Sequence, residues 1–411
     1  MSGSRTIYID RNFALLWSGN AVSLVGFYGV RIAYPLLTLA ATDNPALAGW
    51  VTFAVTLPSL IFQIPAGIAA DYGNQRRILL ICQSAGLSAA CLAIAVVILQ
   101  IPYFAPVLML TAFVEGTANV FFEVSELASI RNIVGAEDRG VALSFLSAEK
   151  PVAIVVGRAT GAAAYGAVAW LPFAVNTMSY IFCRSTLQAI RWNTPARPGG
   201  PALRERLTEG MGSAVRDGAK IAWAEPFLRT TTAISGLTNL IIQVAILLIM
   251  VKLDGGDAPA WTIGIVLGAA GVGGIVGSAA ATKLITWFGR ARVYHGALWA
   301  YTALMLPVTL SSNPVVLAIT WFSVGCSGLI ITVLMTIFRV EVIPEETLGR
   351  TVGLLTMVTD GSVAFGALLG GYLLSGLGTT GVGILLTGAM FVVALSTRRM
   401  AIPEQQEHKR S

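Results

Sequence analysis

The stretch Gly67-Ile68-Ala69-Ala70-Asp71-Tyr72-Gly73-Asn74-Gln75-Arg76-Arg77 puts a carboxylate, a glycine turn and a basic pair between two apolar runs, residues 47–70 and 77–100. Each run meets the roughly 20 mostly apolar residues that a bilayer-crossing helix needs. They read as consecutive membrane spans joined by a short polar loop.

Outward from this loop the pattern repeats. Further spans fall near 12–40, 104–126, 140–166 and 169–190, and, after a polar stretch, near 228–252, 261–286, 293–311, 314–339, 351–376 and 380–397. Hydrophobic residues make up 55% of the chain and charged residues 12%, against about 25% charged in soluble domains. The mean hydropathy of +0.74 agrees, and lipid must act as part of the solvent. The net charge is +6, but the basic residues sit in short loops, so topology explains them and no nucleic-acid partner is implied. With the N-terminus inside, the inner side holds Arg5, Arg11, Arg76, Arg77, Arg131, Arg139, the central-loop arginines, Lys283, Arg290, Arg292, Arg339, Arg350, Arg398 and Arg399, while the outer loops hold only Lys252. That asymmetry predicts an all-α polytopic protein of the cell (inner) membrane, with twelve transmembrane helices and both termini cytoplasmic.

Cys82, Cys91, Cys183 and Cys326 all lie in apolar runs without CxxC or Cys/His spacing, so neither disulfides nor a metal site is expected. The two histidines, His295 and His408, have no catalytic or metal spacing. No cofactor is called for, and enzymatic chemistry is disfavoured. The polar start, residues 1–5, does not read as a cleavable signal, and nothing calls for an obligate oligomer, so a monomer is expected.

Two halves are legible. Residues 191–227 open with Pro195, Pro198, Gly199, Gly200 and Pro201 and continue as a predicted amphipathic helix on the inner surface. They divide a bundle at 1–190 from one at 228–400, followed by a tail at 401–411. The loop Arg131–Arg139 matches Arg339–Arg350 in having an arginine at the helix exit, an acidic pair and a second arginine. Gly157, Gly161 and Gly166 match Gly366, Gly370 and Gly371. Small residues at this spacing let membrane helices approach closely, and the paired placement points to pseudo-symmetric six-helix bundles.

The Gly67–Arg77 loop resembles the signature loop of the major facilitator superfamily, which has a glycine, three residues, an aspartate, then a glycine and a basic cluster. Arg139-Gly-Val-Ala142 and Trp223-Ala-Glu-Pro226-Phe-Leu-Arg229 resemble the branch of macrolide and enterobactin exporters. The resemblance implies that Asp71 faces the N-terminal end of the eleventh span and, with Gly67, Gly73, Arg76, Arg77, Arg131 and Arg139, forms an inner gate. Gly67 should allow close helix contact, and Arg76 and Arg77 should pair with Glu137 or Asp138. Asn74 stands where the pattern has glycine, and asparagine tolerates left-handed turns. Trp287 replaces the aspartate in the second half, and Gly157-Arg158 replaces the exporters' Gly-Pro pair.

Seven ionisable residues inside spans stand out as candidates: Arg31, Glu115, Glu123, Glu149, Lys150, Arg158 and Asp360. Each costs roughly 2.5–3.5 kcal/mol at a helix centre on insertion scales, so they should face a wet cavity or one another. Helix rise puts Glu115 and Arg158 within reach, with Arg31 beside them. Glu123 is the better partner for Lys150, and Glu149 should face another helix. Asp360 has no cation in its own half. Asn20, Gln63, Asn119, Asn239 and Gln243 add polar groups that line the cavity or bond across helices. As a substrate and proton pathway, these residues and the family resemblance imply proton-coupled efflux of a small organic molecule. Export of an anionic metabolite such as a siderophore, held by Arg31 and Arg158, is the alternative; a non-transporting membrane sensor is the alternative of another class.

Overall fold

The computed structural model describes residues 11–99, 104–135, 137–192, 225–254, 259, 261–343 and 348–398. The expected amphipathic helix of the linker and the tail at 401–411 lie outside them. Among the described residues the chain forms eleven helical stretches: α1 (Arg11–Thr42), α2 (Pro45–Tyr72), α3 (Gln75–Ile98), α4 (Phe104–Ile133), α5 (Arg139–Ala167), α6 (Leu171–Ala189), α7 (Pro226–Asp254), α8 (Trp261–Phe288), α9 (Arg290–Leu310), α10 (Pro314–Val342) and α11 (Leu348–Thr397). Nine of these are long and apolar enough to cross a membrane; α6 and α9 are shorter and carry more polar residues.

Local sequence sets the helix ends. Asn44 precedes Pro45, and its side chain accepts from the Ala46 N–H at 2.9 Å. Asn313 does the same before Pro314. Such caps satisfy amide groups that a helix start leaves without partners. Within the signature loop, Gly73 closes α2 and Asn74 opens α3 by accepting from the Arg77 N–H at 3.0 Å. Asn74 is therefore extended (φ −86°, ψ 103°), not left-handed as the sequence suggested. Its side chain is used as a cap, which requires β-region backbone. Gly67 also departs from expectation: a Cβ there would meet nothing within 4 Å, so it makes no close helix contact. Gly73 is the constrained position, because a Cβ would collide with the Ala69 carbonyl.

The last stretch breaks at Gly378, whose φ of 67° lies in the region glycine tolerates and other residues avoid. Its first arm, 348–377, runs parallel to α7, with Gly366 on Leu240 and Gly370 on Val244. Its second arm, 379–397, runs antiparallel to α9, through Thr309 with Thr387 and His295 with the Thr397 carbonyl.

Helices α1 to α6 pack on one another, as do α7 to α11; the two sets meet chiefly along α2 with α11 and α5 with α8. Glycines set the spacing within a set. Gly29 of α1 sits against Gly157 and Gly161 of α5, where any Cβ would strike backbone. The same device joins the sets: Gly49 faces Gly371, and Gly264 faces Arg158 and Ala159. Trp50 donates to the Tyr372 hydroxyl at 3.0 Å, and the Phe53 and Phe365 rings lie 6.3 Å apart. These cross-set contacts fall on the early part of α2 and the late part of α5, toward the end opposite the Asp71–Arg77 loop.

The helix ends near that loop repeat one arrangement. Asn132, at the end of α4, donates to Gln75 at the start of α3. Arg290, at the start of α9, makes a two-pronged bond to Glu341 at the end of α10, at 2.6 and 2.7 Å. At the opposite end Lys252 donates to the carbonyls of Val308, Thr309 and Ser311, neutralising the negative end of α9.

Candidate functional site: a charged cleft between the two helix sets

On α5, Lys150 and Arg158 lie eight residues apart and share a face, while Glu149 turns to the opposite one. Lys150 donates to Glu123 of α4 at 2.7 Å, yet the two side chains remain 46% and 49% exposed. Nearly half of each side chain is therefore open to solvent and not packed. Asp360, on the first arm of α11, reaches the same place from the second helix set. Lys150, Glu123 and Arg31 all act on it electrostatically. Its cations thus come from the other half of the chain, which the absence of one in its own half left open.

Arg31 of α1 lies over the rings of Phe27 and Tyr28, 5.7 and 5.6 Å from their centroids. Ring faces hold a cation without neutralising it. Arg158 donates to the Leu267 carbonyl of α8 at 3.4 Å and feels Arg31 as a like charge. Among the described residues neither guanidinium is in a salt bridge. The cleft therefore offers a cationic pair, a half-exposed ion pair and an aspartate contributed across the interface.

The family model of transmembrane secretion effectors matches residues 6–411. The chain belongs to that family, and it is a transporter of the major facilitator superfamily. The multidrug efflux pump Tap of Mycolicibacterium fortuitum is 26% identical over 369 residues, covering 87% of this chain and 85% of its own. The nucleoside transporter NupG shares the fold with a TM-score of 0.72 at 11% identity, over 94% of this chain and 98% of its own. A POT family transporter in complex with 5-aminolevulinic acid gives 0.70 at 10% identity, over 96% and 97%. Family and fold agree that this chain is a multi-pass membrane transporter, not an enzyme.

Three further carboxyls of the secretion effector lie inside the first helix set. Glu115 is fully buried and accepts from the Asn176 amide of α6 at 3.0 Å, with the Tyr34 hydroxyl alongside. It does not meet Arg158. Depth along the two helices allowed that pairing, but Glu115 points between α1 and α6 while Arg158 points to α8. Glu126 of α4, 4% exposed, accepts from Asn20 of α1 at 2.6 Å. Glu149 is 5% exposed, and among the described residues neither of its oxygens has a hydrogen-bond partner. Glu126 and Glu149 act on each other electrostatically.

Glu126, the last residue of the expected fourth span, is missing from the residues selected by sequence. Helix α4 continues to Ile133. The signal was there: Leu127, Ile130 and Ile133 extend the apolar run, and Glu126 follows Glu123 by three residues. In the signature loop, Asp71 is exposed at the last turn of α2, and Arg139 donates to the Arg131 carbonyl at 3.1 Å, tying the α4–α5 loop together. Trp287, at the corresponding place in the second half, is 73% exposed. Asn239 donates to the Thr359 carbonyl, bonding α7 to α11.

Proposed function

We propose that this transporter exports small organic molecules in exchange for protons, by rocking two six-helix bundles about the charged cleft. The observation that carries the reading is that Asp360 of α11 shares the cleft with the Lys150–Glu123 pair of α5 and α4. A site built from both halves changes its geometry whenever the halves move, so protonation and substrate binding can favour opposite-facing states. The buried carboxyls Glu115, Glu126 and Glu149, which have no cation in a salt bridge among the described residues, supply proton-accepting groups, since an ionised carboxylate without a countercharge is costly in an apolar interior and a proton removes the cost. The relative that is named a multidrug efflux pump favours export.

In this reading the chain crosses the cell (inner) membrane twelve times: nine stretches qualify by length and composition, α6 and α9 complete the bundles, and the two arms of α11 count separately. Residues 191–227 join the halves, both termini are cytoplasmic, and the protein works as a monomer. The cross-set contacts opposite the Asp71–Arg77 loop correspond to a state open at the loop side, and the residues Gly67, Asp71, Gly73, Arg76, Arg77, Arg131 and Arg139 close that side in the other state.

The test is transport by purified protein in vesicles with the loop side outward, assayed against a panel of drugs and acidic metabolites. Accumulation that collapses with the proton gradient is the expected result. Uptake of a panel member that ignores the gradient removes proton coupling, and accumulation only under the opposite gradient removes export. A second reading, export of an acidic metabolite, is favoured by the adjacent guanidinium groups of Arg31 and Arg158. Replacing Arg158 by Leu then reduces flux of acidic members far more than of neutral ones.

A further inference from the structure

Away from the cleft, on the outer flank of the first helix set, Arg76, Arg77 and Arg184 converge on one groove. Together with Asn74, Leu80, Ile81 and Ser84 they line a cavity of about 300 Å³ between α3 and α6. Neither helix is among those that chiefly join the two sets. Arg76 and Arg77 stand in the first turn of α3, and Arg184 lies five residues before the end of α6. The groove therefore opens sideways at the level where the helices leave the bilayer.

Arg184 is held in place. It donates to the Leu80 carbonyl at 3.2 Å and to the Ser84 hydroxyl. Arg184, Arg76 and Arg77 are in no salt bridge among the described residues, and no acidic side chain lines the groove. The start of α3 adds the positive end of a 24-residue helix. Positive-inside topology requires basic residues in the loop, but it does not require a third arginine within α6, aimed back at the other two. Just beyond the arginines the surface is apolar and exposed: Ile81 on α3 and Ile181 on α6.

We infer that this groove binds the headgroup of an acidic phospholipid. Guanidinium forks match phosphate oxygens in shape and charge. A diester headgroup set between Arg76, Arg77 and Arg184 would place its acyl chains along Ile81 and Ile181. A free anion would use the arginines but leave the apolar rim without purpose, so the lipid is the occupant that accounts for both. The site shares Arg76 and Arg77 with the proposed inner gate, so its test reads lipid retention and not transport.

Native mass spectrometry of the full-length protein in detergent tests this, with phosphatidylglycerol, phosphatidylcholine and inorganic phosphate as separate probes. Phosphatidylglycerol is retained over phosphatidylcholine, and Arg184→Gln weakens its retention by about fivefold, the effect expected for one arginine at an anionic membrane surface. Arg76→Gln with Arg77→Gln weakens it further and leaves Arg184 and its bonds to α3 intact, so a folding defect in Arg184→Gln does not decide the matter. Lys283→Gln, which removes an inner-end charge on α8, leaves retention unchanged. Equal retention of the two lipids, or equal losses with Lys283→Gln, overturns the site. Inorganic phosphate binding with the same arginine dependence and displacing phosphatidylglycerol overturns the lipid assignment.

Discussion

Lys150 and Glu123 bond at 2.7 Å across α4 and α5 while each keeps nearly half of its side chain accessible. A pair on the lipid face would lose its solvation, and a fully covered one would have to offset its desolvation. This pair is held where solvent reaches it, and Asp360 from the other half acts on it electrostatically.

Breaking the pair tests its role. Exposed ion pairs stabilise by about 0.2–1 kcal/mol, so Glu123→Gln and Lys150→Met should leave the melting temperature of the purified protein nearly unchanged. Transport should fall steeply in both, and the exchange Glu123→Lys with Lys150→Glu should recover part of it. Wild-type flux in the two single variants removes the pair from the pathway.

Asn20 and Glu126 separate fold from proton handling. Asn20→Ala strips a buried carboxyl of its donor and should cost about 1–3 kcal/mol, read as a lower unfolding temperature. Glu126→Gln keeps an acceptor for Asn20 but removes the titrating group. It should fold normally and lose the dependence of flux on an imposed pH gradient. A gradient response equal to that of the parent protein would eliminate Glu126 as a proton site.

The glycines give opposed outcomes for one substitution. Gly67→Ala enters open space inside a helix and should stabilise by about 0.4–1 kcal/mol. Gly161→Ala drives a methyl into the Gly29 backbone and should cost about 1–3 kcal/mol or more. Thermal unfolding of the two variants side by side decides it; equal stability contradicts the packing of α1 on α5.

Arg290 and Glu341 hold α9 to α10. Glu341→Gln leaves the 9%-exposed Arg290 side chain with a neutral acceptor, and a charged hydrogen-bonded pair is worth about 1.5–3 kcal/mol. The unfolding temperature should drop, with substrate affinity unchanged in the surviving protein. A changed affinity at parental stability would instead make this end of the molecule part of the site.

The amino-acid sequence by itself determined that this chain lives in a bilayer, that its basic residues gather in alternate loops, and where several of the helices start. Hydrophobic runs, arginine placement and the Asn-Pro caps at 44–45 and 313–314 are one-dimensional signals whose physics acts within a helix or across a lipid boundary. The signature loop and the paired glycines carried the family in the same way. What only the tertiary structure decided is which charges share a space. Glu115 and Arg158 have compatible depths, yet rotation about two helix axes sends one inward to Asn176 and the other to α8. Asp360 finds its cations on α5 and α1, Glu126 lies two turns inside a helix that sequence ended too early, and Gly67 is open where Gly161 is closed. Depth is linear in residue number, whereas azimuth and partnership depend on how all the helices pack at once.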